Sequence, residues 1–476
     1  MSEDPRSKGL TQFKENNPDP TPAENYSGDN NYRLQELTLT SPSGGEVDLA
    51  DVFTGMSIFE DLFNNTISCR LSFHDTNDIC RHLPIIGQQE KLKATFKIPG
   101  DKNVEFEFDI YRVSVKQIST IGKKQAITLK GVSTEQFKNI HTKISRSFYN
   151  SVDGIIETIF NDYLKTSGSG KQHKFQIGVP TNSEKRKFII PNWRPLDAIE
   201  WLVNRAVPAN EQHACNYIFF QNREGFQLTT LHKLLEVDTP KMEYFYMPRR
   251  YREAPNNFRD PGYEMRNVQR LIFDEPGDRL DENLSGMYGS KILTHDIVRK
   301  HYEFKEHSMK KFFGFSKHAE PNYPIARGLD EFSTQPDTFW NFFPIHNNLN
   351  QENELYGGDT VEKNEQYAQW FLKRKSLMRQ IGANVIHIHV SGDSRRKPGD
   401  VVSLKVTPLQ PAVGKDKKLN KYINGKYLVT SVKHNITRDG YWMDMELSKD
   451  SMADPYPDKS NFLGSMNEIN GQPTEE

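Results

Sequence analysis

Two histidines, His387 and His389, stand two residues apart in the stretch VIHIHV. On a β-strand that spacing puts both imidazoles on one face, about 6 to 7 Å apart, close enough to share a metal ion. A tetrahedral site takes four ligands and the neighbouring sequence offers no third or fourth, so the pair reads as a polar strand face and no metal is assigned. TSGSGK at 166–171 imitates a phosphate loop. It lacks the glycine five residues before Gly-Lys, carries Gln172 in place of Ser or Thr, and follows a helical pattern instead of a strand, so it reads as a linker. Arg249, Arg250, Arg252 and Arg259 interleave with Tyr244, Tyr246 and Tyr251. That mixture can stack on and neutralise nucleic acid, but in a chain of balanced charge it reads as a solvated or intersubunit salt-bridging loop. No HExxH, GxSxG or CxxC pattern occurs. A glycosidase needs only two carboxylates brought together by the fold, so a hydrolase stays open as an alternative. The site assignment is therefore none for catalytic, cofactor-binding and metal residues alike, and no cofactor is expected.

Bulk properties narrow the class further. The chain has 476 residues, 35% of them hydrophobic, which suffices for several domains with real cores and leaves much polar surface. With 62 basic and 63 acidic residues it generates no global positive field to gather nucleic acid or an anionic membrane. No run approaches the roughly 18 apolar residues of a membrane helix, and MSEDPRSKGL lacks the apolar core of a signal peptide, so neither a span nor export by that route is expected. Cys69, Cys80 and Cys215 are too few and scattered for a disulfide framework and read as reduced thiols.

The periodicities predict a mainly β chain with an α+β insert. Residues 1–31 are polar and read as a flexible arm, and 32–140 carry strand-like runs such as TISCRLSFHD and QAITLKGV, read as a first β-barrel domain. In 141–240 the spacing turns helical: Val152, Ile155, Ile156, Ile159, Phe160 and Tyr163 follow Ser151, and Leu196, Ile199, Leu202, Val203 and Ala206 follow Pro195. A hairpin at 216–231 completes this α+β middle domain. Residues 241–360 read as a loop-rich insertion with an irregular aromatic segment containing YEF, FFGF and FWNFF, packed against another surface. A helix over 362–380 then leads into a second barrel, the two together spanning 361–452, with 453–476 a mobile tail.

The hairpin GKYLVTSVKHNITRDGYWMDMELSKDS at 425–451 is the clearest element. Leu428, Thr430, Val432, His434 and Ile436 are expected on one face and Tyr427, Val429, Ser431 and Lys433 on the other, with Tyr441, Met443, Met445 and Leu447 opposed to Trp442, Asp444 and Glu446. Asp439-Gly440 supplies the turn. Ser431-Val432-Lys433 repeats Ser114-Val115-Lys116. Gly440 and Gly122 follow, each with a leucine seven residues on, Leu447 and Leu129. Upstream, Gly399, Leu404, Lys405 and Thr407 echo Gly87, Leu92, Lys93 and Thr95. Order and turn placement repeat together, as expected of one barrel used twice.

Those barrels, with SIFEDLFNNTISCRLSFHDTND, RPLDAIEWLVNRA, NYIFFQNREGFQLTTL and KSLMRQIGANVIHIHVSGDSRRKPGDVVSLKV, resemble the central baseplate hub proteins of contractile-tailed phages, related in architecture to the hub part of VgrG spike proteins. The resemblance touches most of 55–452 and is weakest over 300–360. It implies two similar tube-forming β-barrels per chain and a homotrimeric ring that adapts a sixfold tail tube to a threefold cell-puncturing spike. It also implies partners: a tail spike protein, a tail tube or tube-initiator protein, a tape-measure protein, other baseplate proteins, and DNA that passes without specific binding. The implied location is the virion baseplate, assembled in the host cytoplasm, and no enzymatic activity is implied. On such a wall Asp444 and Glu446 would repel passing DNA. The alternatives are a baseplate-associated cell-wall hydrolase and a carbohydrate-binding module.

Overall fold

The computed structural model describes residues 32–454 except 76–78, 80–84, 86, 88–89, 98–102, 118–124, 166–173, 184, 211–212, 247–264, 275–278, 297–299, 325–338, 346–366 and 407–422. The arm at 1–31, the TSGSGK stretch, Cys80, the arginine cluster with Tyr251, and most of the tail lie outside the described residues.

The first β region contains β1 (Arg33–Thr40), β2 (Glu46–Asp48), β3 (Phe53–Asp61), β4 (Ser68–Asp75), β5 (Lys91–Lys97), β6 (Val104–Gln117) and β7 (Gln125–Val132). Alternation decides which face each strand buries: β4 sends Cys69, Leu71 and Phe73 inward and leaves Arg70 and His74 outside. All pairings here are antiparallel, in the order β3-β4-β7-β6-β5-β1-β2. Gly131 on β7 allows the layers to close, because a Cβ there would stand 2.9 Å from both Cys69 Sγ and Phe108 Cβ.

The insert follows with β8 (Ile144–Asn150), β9 (Lys174–Ile177), β10 (Arg186–Trp193), β11 (Tyr217–Asn222) and β12 (Gly225–Thr230). β8 and β10 form an antiparallel ribbon, and β9 pairs parallel with the β11·β12 hairpin. The helices Val152–Ile159 and Pro195–Val203 bury their apolar stripes in a separate core with Phe148, Phe188, Phe219 and Phe226. The first helix runs on as a π-turn, Phe160–Leu164.

Beyond the insert come β13 (Glu243–Tyr246), β14 (Arg270–Phe273), β15 (Gly289–Asp296), β16 (His301–Ser308) and β17 (Trp340–Ile345). The aromatic segment is thus irregular only in part, because β15, β16 and β17 pair into a sheet of their own. Its alternation was masked in the sequence by aromatic residues on the outer face. Tyr302, Phe304, Trp340 and Phe342 are each more than half exposed, while Phe343 stacks on Tyr367 with centroids 4.5 Å apart. Tyr367 opens the helix Tyr367–Gln380, anchored where Ser376 Oγ donates to the Met287 carbonyl at 2.6 Å and Arg374 donates to the Tyr217 carbonyl at 2.7 Å.

The second β region consists of β18 (Asn384–Ser391), β19 (Val401–Val406), β20 (Gly425–Thr437) and β21 (Gly440–Lys449). Its strand order, β14-β18-β21-β20-β19-β13, repeats the order β3-β4-β7-β6-β5-β1 strand for strand. The one change of sense is at the end, where β13 pairs with β19 in parallel while β1 and β5 are antiparallel. The repeat extends to single residues. Ser114, Val115 and Lys116 face Thr128, Ile127 and Ala126, while Ser431, Val432 and Lys433 face Glu446, Met445 and Asp444. Leu92 faces Phe108 as Leu404 faces Gly425. The chain is mainly β with an α+β insert and two similar β units.

The units are fused rather than merely adjacent. The later half of β20 pairs antiparallel with β3, from Ser431 opposite Asp61 to Thr437 opposite Gly55, so that both regions share one 13-stranded sheet and one core.

One expected facing is corrected. Tyr427 and Val429 lie in the same core as Val432 and Ile436, because a β-bulge at Thr430 inserts a residue and reverses the parity of the strand. Leu428 consequently faces a different cluster, with Ile218, Phe220 and Leu231 of the insert.

Candidate functional site

Where β3 meets β20 the sheet presents a polar face opposite its core, and side chains from four strands connect across it. Ser57 Oγ on β3 donates to Asn435 Oδ1 at 2.9 Å, and Asn435 Nδ2 donates to Asp444 Oδ2 on β21 at 2.7 Å. His389 Nδ1 on β18 lies 2.6 Å from Asp444 Oδ1, and Lys433 Nζ stands 3.5 Å from Asp444 Oδ2. Burial pushes the Asp444 carboxyl up, but His389, Asn435 and Lys433 outweigh it and hold the group below its ordinary range. Glu446 accepts from Thr430 Oγ1 at 2.5 Å. These bonds fix rotamers across the joint, and they leave Asp444 ion-paired, so its field is much weaker than that of the bare carboxylate pair read from the sequence.

The opposite face of the joint is closed. Ile58, Met56, Val432 and Ile436 are each no more than 3% exposed, and Tyr441 meets Phe96 of the first unit edge-on with centroids 5.8 Å apart. Two ionisable groups are trapped there. His434 is wholly buried with Nδ1 2.7 Å from Tyr441 Oη, and burial drives its pKa down to about 3, so the imidazole is neutral. Glu60 is buried on β3 opposite Val432, and burial raises its carboxyl to about 7 against the opposing pull of Arg223. At the edge, Tyr32 Oη donates to the Thr437 carbonyl at 2.7 Å and Arg438 Nε to the Phe53 carbonyl at 2.6 Å.

The residues singled out in the sequence fall as follows. His387 and His389 share a face, but their nitrogens engage different carboxylates: His387 Nε2 is 3.7 Å from Asp274 Oδ2, and His389 is held by Asp444 and stacked on Trp442. Among the described residues no group of three or more His, Cys, Asp or Glu side chains converges as metal ligands do. Tyr244 is buried in β13, out of reach of a stacking base, and Tyr246 is half-buried. Cys69 and Cys215 are buried thiols, and burial raises both pKa values, Cys215 to about 11. Among the described residues no helix is long and apolar enough to cross a membrane.

An open cavity of about 810 Å³ lies elsewhere, lined by His213, His232, Phe315, His318, Glu320 and Lys426 among others. Three of its ionisable groups are held in place. His318 Nδ1 lies 2.7 Å from Asp450, Glu320 accepts from the Lys426 amide at 2.6 Å, and Lys233 holds Glu236 below its ordinary range.

Sequence reasoning missed Ser57, Asn435, Glu60 and the joint they define. The inward parity of His434 was legible, but nothing local signals that β3 pairs with β20.

What fold and site define is an internally duplicated β chain whose units join edge to edge into a wall with one polar and one closed face. No family model matches it. A probable baseplate hub protein, gp334 of Vibrio phage KVP40, is 20% identical over 417 residues, spanning 84% of this chain and 90% of that one. That relative upholds the resemblance to baseplate hub proteins read from the sequence. Among solved structures, a tail protein from Neisseria meningitidis aligns with a TM-score of 0.49 and 10% identity over 90% of this chain and 99% of its own. A 43 kDa prophage tail protein from Shewanella oneidensis aligns with a TM-score of 0.47 and 10% identity, over 88% and 100%.

Proposed function

We propose that the chain is a structural baseplate hub of a contractile phage tail. In this reading it forms a homotrimeric ring whose six β units, two per chain, meet a sixfold tail tube, while the true threefold symmetry of the ring receives a cell-puncturing spike. The observation that carries it is the register-matched duplication. Two units that share strand order and residue-level pairing can occupy equivalent places around one axis, so three chains can mimic six subunits. Similarity to a phage hub protein over most of both chains supports the same reading.

The polar face bearing Ser57, Asn435, Asp444 and Glu446 then lines the passage, because the other face is taken up by the core. On that face the carboxylate and amide groups of the joint are taken up by hydrogen bonds and ion pairs with one another, which supports passage of DNA without specific binding at the joint. The partners are the spike, a tube or tube-initiator protein, the tape-measure protein and other baseplate proteins, and the location is the virion, after assembly in the host cytoplasm. No catalytic role is included. Light scattering of the purified chain, alone and with its spike partner, tests the reading: the expected mass is three chains, and a strict monomer under both conditions overturns it.

A further inference from the structure

One acid stands in a line of core residues. On β3 the inward positions run Met56, Ile58 and Glu60, and Leu62 follows just past the strand, each no more than 3% exposed. Met56 and Ile58 belong to the core shared by the two β units, whereas Leu62 belongs to the cluster it forms with Ile218 and Phe220 of the insert. Glu60 therefore lies on the seam where the insert is laid against the joint. Neither of its oxygens completes a hydrogen bond to a group among the described residues, although the Arg223 amide and guanidinium both favour its charged form. A protonated carboxyl is tolerated in such a place, but an anion needs water or a bonded counter-ion.

The seam is covered by the tip of the β11·β12 hairpin. Gln221 Oε1 accepts from the Ile67 amide at 3.1 Å, and on the far side of the turn Glu224 Oε2 holds Lys397 Nζ, from the loop before β19, at 2.5 Å. Arg223 sits between them and is the largest charge acting on Glu60, ahead of Lys397 and Glu224. From β20 and β21, His434 and Tyr441 close the other side. Both are wholly buried and bonded to each other; burial holds His434 at about 3 and pushes Tyr441 well above its ordinary value, so neither changes charge between pH 5 and 8. Asp393, which acts on both, is ion-paired with Arg395 and Arg396.

We propose that Glu60 is a proton-operated latch on the insert: while it keeps its proton the hairpin tip stays closed on the joint, and loss of the proton to solvent opens the tip, so that water and the Arg223 guanidinium reach the carboxylate. What changes with pH is then the docking of the insert across the two β units. The latch rests on this seam alone and is independent of how many copies of the chain assemble.

Hydrogen exchange of the amides at 221–226 in the full chain, each rate divided by the intrinsic rate at that pH, reads the opening. Burial holds the closed carboxyl at about 7 against 4.5 in water, so the closed tip is favoured at low pH and its opening should rise roughly 50–100-fold from pH 5 to pH 8. In Glu60→Gln, which keeps the shape and cannot ionise, the rise is expected to vanish, while exchange in the β8·β10 ribbon matches the parent. Glu224→Gln, which removes the ion pair to Lys397, is expected to speed exchange at the tip by the same factor at both pH values and to keep the rise. A parent without the rise overturns the latch, and so does a rise that survives Glu60→Gln. A rise abolished by Glu224→Gln places the step in the Glu224–Lys397 pair and overturns it too.

Discussion

Ser57 and Asn435 are 378 residues apart in the chain, and their side chains meet at 2.9 Å across the joint of the two β units. Asn435 passes the link to Asp444 on the neighbouring strand at 2.7 Å, so one amide ties three strands together. Asn435→Ala is expected to lower unfolding stability by about 1–2 kcal/mol, the scale of a half-buried hydrogen-bonded pair in which one bond is charge-assisted. In a double-mutant cycle with Ser57→Ala, urea unfolding should show the two losses falling short of additivity. Strict additivity would mean that the ladder carries no coupling across the joint.

Glu60 makes the joint sensitive to pH. Its folded pKa, about 7, lies above the 4.5 of a free glutamate, so its contribution is fully present below about pH 4.5 and is lost as pH rises through 7. His434 acts in the opposite sense. Its folded pKa of about 3 lies below 6.5, so its contribution is full above pH 6.5 and lost as pH falls toward 3. Replacing Glu60→Gln should therefore stabilise the chain more at pH 8 than at pH 5, by roughly 2–4 kcal/mol, read from unfolding curves at both pH values. An equal effect at both would show that the carboxyl does not titrate between them.

Much of this was legible in the sequence. The alternation of β4 and β21, the stripes of the two insert helices and the shared Ser-Val-Lys segment all survive into the structure, because each depends on a local period or a local register. What was not legible depends on distant partners. A bulge at Thr430 reverses strand parity without any glycine or proline to mark it, so Tyr427 and Val429 read as facing away from the core they enter. The β15 to β17 sheet was hidden because Tyr302, Phe304, Trp340 and Phe342 put aromatic rings on the outer face, where alternation predicts polar ones. The β3·β20 joint has no local signature at all, since pairing of strands so far apart is set by the topology of the whole chain.

Gly131 tests the packing of the first unit. Gly131→Ala drives a methyl to within 2.9 Å of Cys69 Sγ and Phe108 Cβ, and such overpacking is expected to cost about 1–3 kcal/mol. Removing the sulfur relieves part of the clash. Gly131→Ala combined with Cys69→Ala should thus lose less than the sum of the single changes, measured by thermal or urea unfolding. A double variant at or beyond that sum would place the clash elsewhere.

Electron microscopy of the assembled chain, alone or on its spike, addresses the account most directly. The expected image down the particle axis is a ring with true threefold symmetry in which six β units sit at equivalent radii around an open channel, alternating first and second unit. A monomer, a twofold dimer, or a ring in which the two units lie at different radii would contradict it.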